Sequence, residues 1–145
     1  MSGTDFIDWL EICNLKARYC RCLDTKDWDG YAAVYAEDAL LDTTGSGGLR
    51  VEGRDALVAY VRSSINDDTF TTHHVHAPEI DISGDEATGI WAMQDRNIWP
   101  NGRKLLGFGH YHERYARIGG RWLIAESRLT RINMELSNVL AEGTI

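Results

Sequence analysis

The sequence predicts an α+β domain, with three N-terminal helices packed on one face of a curved, mostly antiparallel sheet. Three observations carry this. Apolar residues recur at spacings of three and four from Thr4 to Ile65. After Asp68 the repeat shortens to two. The turn signals SGD, PNG and GG then divide the period-two region into four long segments. At 145 residues the chain suits one domain, spanning 1–145, with a core of its own.

The first helix is expected from Thr4 to about Leu23. Phe6, Trp9, Leu10, Cys13, Ala17 and Cys20 form one row, and Ile12, Leu15, Tyr19 and Leu23 form a second beside it. Two adjacent apolar rows make a broad buried stripe. Thr4 or Asp5 can cap its start. DTKDWDGYAAVYAEDA reads as a short second helix, with Asp24, Thr25 or Asp27 as its cap. ALLDTT is a short strand and GSGG a flexible connection. EGRDALVAYVRSSI resumes the helical period through Leu57, Tyr60, Val61 and Ile65. The four strands follow as TTHHVHAPEIDI, ATGIWAMQDRNIW, KLLGFGHYHERYARI and RWLIAESRLTRINMEL. Pro78 is expected to disturb the alternation of the first of these.

Composition narrows the function classes. A formal charge of −7 argues against a general nucleic-acid binder, which needs a basic face for phosphates. The N-terminal residues show no basic region followed by an apolar run, and no apolar run approaches a bilayer span. A cytoplasmic protein without a membrane partner is the expectation. Cys13, Cys20 and Cys22 then read as reduced thiols.

Alternation also shows which polar residues share a face with apolar ones. Trp91, Met93 and Asp95 point the same way, together with Asn97 and Trp99. On the last strand Leu123, Ala125, Leu129 and Arg131 share a face. A carboxylate among aromatic groups is either paired or functional, because burying it alone is expensive. Asp95 and Arg131 together point to a partly polar pocket between sheet and helices.

The five histidines form two clusters. His74 and His76 face one way and His73 the other, while His110 and His112 form a second His-x-His pair. Two such pairs on neighbouring strands, with Glu79 or Glu113 added, would resemble a divalent metal site. Surface or interface imidazoles are the alternative, and the one we favour. His73 becomes chemically interesting if a carboxylate such as Asp24 meets it.

The element order and the segments YCRCLDTKDWDGYAAVYAEDA, THHVHAPEIDISGDEATGIW and GHYHERYARIGGRWLIAESRLTR resemble the NTF2-like (SnoaL-like) superfamily. Within it they look most like the dehydratase branch, which includes bile-acid 7α-dehydratase, scytalone dehydratase and hexachlorocyclohexane dehydrochlorinase. The resemblance implies a cone-shaped α+β barrel and a lyase that needs no cofactor and no metal. The substrate would be a hydrophobic cyclic, steroid-like or polyketide-like molecule. It carries a His–Asp dyad over onto His73 and Asp24, a pocket tyrosine onto Tyr19, a second acid onto Asp95 and a substrate-facing arginine onto Arg131. Trp91, Met93, Trp99 and Phe108 would supply apolar walls. Where the branch commonly has a second pocket tyrosine, this chain has LLDTT, which places Asp42 or Thr43 there. The same parts would also serve an isomerase, an epoxide hydrolase or a non-catalytic binding or assembly subunit. A homotrimer, formed through the outer sheet face with His74, His76, His110 and His112, is the implied assembly.

Overall fold

The first helix, α1 (Gly3–Thr25), is opened by Ser2: its hydroxyl accepts from the Asp5 backbone N–H while the Asp5 carboxylate accepts from that of Ser2. This capping box satisfies two orphan N–H groups and places the cap at Ser2, two residues before Thr4, the earlier of the two expected caps. Residues 2–138 are described in the computed structural model. After α1 come α2 (Trp28–Ala33), β1 (Tyr35–Asp42), a 3-10 turn at Thr44–Ser46, β2 (Arg50–Glu52) and α3 (Arg54–Ser64). Four long strands complete the fold: β3 (Phe70–Ser83), β4 (Glu86–Ile98), β5 (Arg103–Ile118) and β6 (Arg121–Asn138). Asp27 caps α2 by accepting from the Gly30 N–H. No helix among the described residues is long and apolar enough to cross a membrane.

The strands form one six-stranded sheet in the order β2-β1-β6-β5-β4-β3. Only β1 and β6 run parallel, as expected of a chain that crosses to the far edge through helices before it starts its meander. Bulges bend the long strands. One interrupts β3 between His76 and Glu79, where Ala77 takes a positive φ of 44° before Pro78. Two more interrupt the β5–β6 pairing, at Phe108/Gly109 and Arg114/Tyr115. Each bulge adds twist, and the sheet curls around α1.

The inner row of α1 is buried as expected, through Ile12, Leu15, Tyr19 and Leu23. The outer row is not: Phe6 is 54% and Leu10 45% exposed. Two charged residues take buried places on the helix instead. Asp8 accepts from Arg117 at 2.6 Å and from the Trp122 indole at 3.0 Å. Lys16 is fully buried, with Nζ 2.5 Å from Glu113 Oε1 on β5. Its ammonium lies 3.7 Å above the Tyr19 ring and 3.6 Å above that of Tyr111. Glu113 also accepts from Ser127 at 3.0 Å and from Tyr115 at 2.5 Å, and the Trp91 indole donates to Tyr115 at 2.8 Å. Every polar atom of this knot has a partner, which is the condition under which a buried ion pair offsets its desolvation.

Removing one partner strands the other charge in a dry core. Glu113→Leu is therefore expected to cost roughly 3–5 kcal/mol in urea unfolding. The double variant Lys16→Met/Glu113→Leu should recover most of that loss. Equal destabilisation in the single and double variants would show that shape, not charge, holds this point.

Candidate active site

Above the Lys16 knot the helices and the sheet diverge and leave a cavity of about 240 Å³. Tyr19, His73, Asp95, Asn97, Tyr111 and Arg131 line it, with Thr43 and Trp99 nearer the mouth. Each arrives from a different constraint. Tyr19 stands one turn beyond Lys16 on α1. His73, Asp95 and Arg131 occupy inward positions of β3, β4 and β6, facing positions that alternation had picked out.

Asp24 is set behind His73 by the end of α1. There Lys26 adopts a left-handed conformation, φ 59°, and its ammonium donates to the Leu23 carbonyl and the Thr71 hydroxyl. The Asp24 carboxylate then meets three donors on β3. Oδ1 lies 2.7 Å from His73 Nδ1 and 3.0 Å from the Thr71 hydroxyl, and Oδ2 accepts from the His73 backbone N–H at 2.8 Å. A carboxylate is acceptor-only, so Nδ1 is the donor in this contact, and in a neutral ring Nε2 is then the acceptor. Nε2 is 4.0 Å from Asp95 Oδ2.

Asp95 and Arg131 meet fork to fork, at 2.6 and 3.0 Å. Arg131 Nε donates to Ser46 at 3.1 Å, and the Met93 sulfur lies 3.6 Å from Nη1. Such bidentate pairs fix geometry as well as charge. Gly107, which pairs with Asp95 across β4–β5, leaves the required space: a Cβ there would overlap the guanidinium of Arg131 and the carboxylate of Asp95.

Tyr19 packs against Tyr31, Tyr35 and Tyr111, with its hydroxyl 3.5 Å from that of Tyr111. Burial pushes the Tyr19 phenol well above its ordinary value, and the neighbouring tyrosines add to the shift. Burial raises Tyr111 in the same way. Both stay protonated and able to donate.

The structure thus brings together His73, Asp24, Tyr19, Asp95, Arg131, Thr43 and Trp99, with Met93 as a support under Arg131. Thr43 bonds the Tyr60 hydroxyl at 3.1 Å, whereas Asp42 turns away to accept from Thr44. Three expected wall residues do not line the cavity, and Met93 is one of them, since it packs against Arg131 instead. Trp91 has the right face but sits too deep, bonded to Tyr115 in the closed end of the cone. Phe108 is on the opposite face: Leu105, Gly107, Gly109 and Tyr111 are the buried positions of β5. Tyr111, Asn97 and Tyr31 were not among the expected site residues, although Tyr111 stands between His110 and His112 and so must face inward if they face out.

Those histidines are on the outer face with His74 and His76, of which His74 and His76 are exposed. The two His-x-His pairs are not on neighbouring strands, because β4 lies between β3 and β5. Among the described residues no group of three or more His, Cys, Asp or Glu side chains converges as metal ligands would. Cys13, Cys20 and Cys22 are free thiols, and burial pushes Cys20 up to about 11.

Comparison with known proteins gives a consistent result. The family model for the SnoaL-like domain matches residues 5–128. A protein named "Probable cyclase FGR4" from Gibberella zeae is 28% identical over 138 residues, 86% of this chain and 91% of the relative. Rv3472 of Mycobacterium tuberculosis, of unknown function, has a solved structure with TM-score 0.77 and 30% identity, covering 90% of this chain and 76% of that one. A "Putative Scytalone Dehydratase" from Novosphingobium aromaticivorans superposes with TM-score 0.84 at 20% identity, covering 93% and 91%. At that identity the last likeness concerns the fold.

Five of the six tyrosines (Tyr19, Tyr31, Tyr35, Tyr111 and Tyr115) have phenols raised by burial. Neutral phenol is favoured in the folded state, so the stability they contribute is complete below the unfolded value near 10 and is lost as pH rises beyond it. An absorbance titration at alkaline pH should show no more than one phenol ionising in the native protein, followed by cooperative release of the rest on unfolding. Gradual, independent ionisation of several tyrosines in the folded state would contradict this.

Proposed function

Because the chain belongs to the SnoaL-like domain family, we propose that it converts a small hydrophobic cyclic molecule, as a cofactor-independent lyase of the dehydratase kind. The observation that carries this reading is the His73 ring. Its Nδ1 is tied to Asp24 at 2.7 Å, which leaves Nε2 as the acceptor of a buried imidazole lining the cavity. A neutral imidazole oriented by a carboxylate is the usual arrangement of a general base.

In the proposed step His73 Nε2 removes a proton next to a substrate carbonyl, and Asp24 stabilises the imidazolium formed. Tyr19 donates to the carbonyl oxygen as negative charge develops there. The enolate expels a β-hydroxyl, which takes the proton back from His73 and leaves as water, giving a conjugated ketone. Asp95 and Arg131 shape the polar end of the pocket, and Thr43 and Trp99 bound it. A cavity of about 240 Å³ lies just under the roughly 300–1,000 Å³ usual for small-molecule sites. One or two fused rings therefore suit the enclosed part better than a four-ring steroid.

The likeness to proteins named "Probable cyclase FGR4" and "Putative Scytalone Dehydratase" supports a small-molecule-converting enzyme. The cavity and the short dyad distance speak against a non-catalytic subunit with a filled cone. Isomerisation or epoxide opening would use the same side chains, and product analysis separates them. The reading includes a cytoplasmic homotrimer built through the outer sheet face, which sedimentation would test.

Asp24→Asn and His73→Gln should each lower turnover by about 10²–10⁴-fold, the usual worth of a general base. Their melting temperatures should stay close to that of the unaltered protein. The assay is the appearance of enone absorbance across a panel of cyclic β-hydroxy ketones and thioesters. Full activity in either variant would sink the dyad mechanism.

A further inference from the structure

Two residues behind the His73–Asp24 pair take no part in the proposed step, yet they complete its hydrogen bonding. Asp24 Oδ1 accepts twice, from His73 Nδ1 at 2.7 Å and from the Thr71 hydroxyl at 3.0 Å. A hydroxyl has one proton and can swing it elsewhere, so a further contact is needed to hold it on Asp24. Lys26 supplies that contact, with its ammonium 2.7 Å from the Thr71 oxygen. An ammonium can only donate. Thr71 therefore accepts from Lys26 and keeps its own proton for Asp24. The Leu23 carbonyl is no alternative for that proton, because it already accepts from the Lys26 ammonium at 3.2 Å and from the Lys26 backbone N–H at 3.3 Å.

The backbone adds an independent observation. Lys26 caps α1 at φ 59°, in the left-handed region where glycine is the usual cap because it has no Cβ to strain. The half-buried side chain aimed at Thr71, and not the backbone, accounts for a lysine at this position. We propose that Lys26 is a positioning residue for His73: through the Thr71 hydroxyl it fixes the Asp24 carboxylate against Nδ1, and so decides which ring nitrogen faces the cavity as an acceptor. The proposal rests on the reading above in taking that nitrogen as the base. Burial draws the Lys26 ammonium below its ordinary value, against the opposing pull of Asp24 and Asp67. Arginine, a donor-only cation at every working pH, is therefore the conservative replacement.

The His73 ring reports the arrangement without any substrate. In protein carrying isotope-labelled histidine, held at about pH 8.5, above the ordinary histidine range, the nitrogen NMR shifts show which ring nitrogen holds the proton. The signals missing in His73→Gln assign the ring. The unaltered protein should hold the proton on Nδ1. In Lys26→Met and in Thr71→Val the ratio of Nδ1–H to Nε2–H tautomers should fall about tenfold, the size of one net hydrogen bond. Lys26→Arg and Thr71→Ser should keep the unaltered ratio. Lys26→Gly separates positioning from capping: glycine suits the left-handed cap and should melt no lower than Lys26→Met, yet should lose the ratio by the same factor. An unchanged ratio in Lys26→Met, or an intact ratio in Lys26→Gly, would overturn the proposal and leave the base assignment standing. A proton on Nε2 in the unaltered protein would overturn both.

Discussion

The buried contact between Lys16 and Glu113 is the constraint from which the rest of the structure follows. α1 could slide or roll over an apolar sheet at small cost, because apolar contacts are non-directional. A fully buried ammonium 2.5 Å from a carboxylate and capped by two aromatic faces permits neither movement. With that point fixed, helix geometry dictates the rest: Tyr19 lies one turn on, and Asp24 a little over two turns, roughly 12 Å along the axis. Tyr19 then reaches the floor of the cavity, and Asp24 arrives where the β3 strand offers three donors. The left-handed cap at Lys26 ends the helix there and ties it once more to Thr71.

Electrostatics divides the site into two halves with different tasks. On one side Asp24 holds the imidazole by a single ring nitrogen and leaves the other facing the cavity. On the other side Asp95 would be an expensive isolated charge beside the same ring, 4.0 Å away. Arg131 neutralises it through two hydrogen bonds, so that His73 is flanked by two carboxylates but feels only one unpaired anion. The floor of tyrosines contributes no charge at all, since burial keeps their phenols protonated. The cavity therefore presents one imidazole oriented by a carboxylate among walls whose charges are paired or absent.

Most of the element order and half of the site could be read from the sequence, for an identifiable reason: strand alternation is local and strict. It separated His73 from His74 and His76, and it put Asp95 and Arg131 on the apolar faces where they stand. Phe108 shares the parity of the outward His110 and His112, so alternation places it outside, and only the family resemblance had put it in the wall. Alternation could not show depth, so Trp91, on the correct face, was placed in the pocket although it lies in the closed end. Nor could it show pairing across the fold. Lys16 carried no local signal, and Glu113 read only as a possible carboxylate beside the His-x-His pairs, because the two partners lie 97 positions apart. The short strand β2, three residues long, carried no periodicity to read.

Small residues decide how these large groups meet. In GFGHYH the regular alternation of β5 turns the phenyl ring of Phe108 outward, and the two glycines present bare backbone to the cone. At Gly107 that bare backbone is the space into which Arg131 and Asp95 fold together, and any side chain there would separate them. Once parted, Asp95 would be a buried, unneutralised carboxylate beside the His73 ring and would compete with Asp24 for its proton. The conspicuous histidines of that same segment take the outward positions, and the glycines and Tyr111 that alternate with them face the cone.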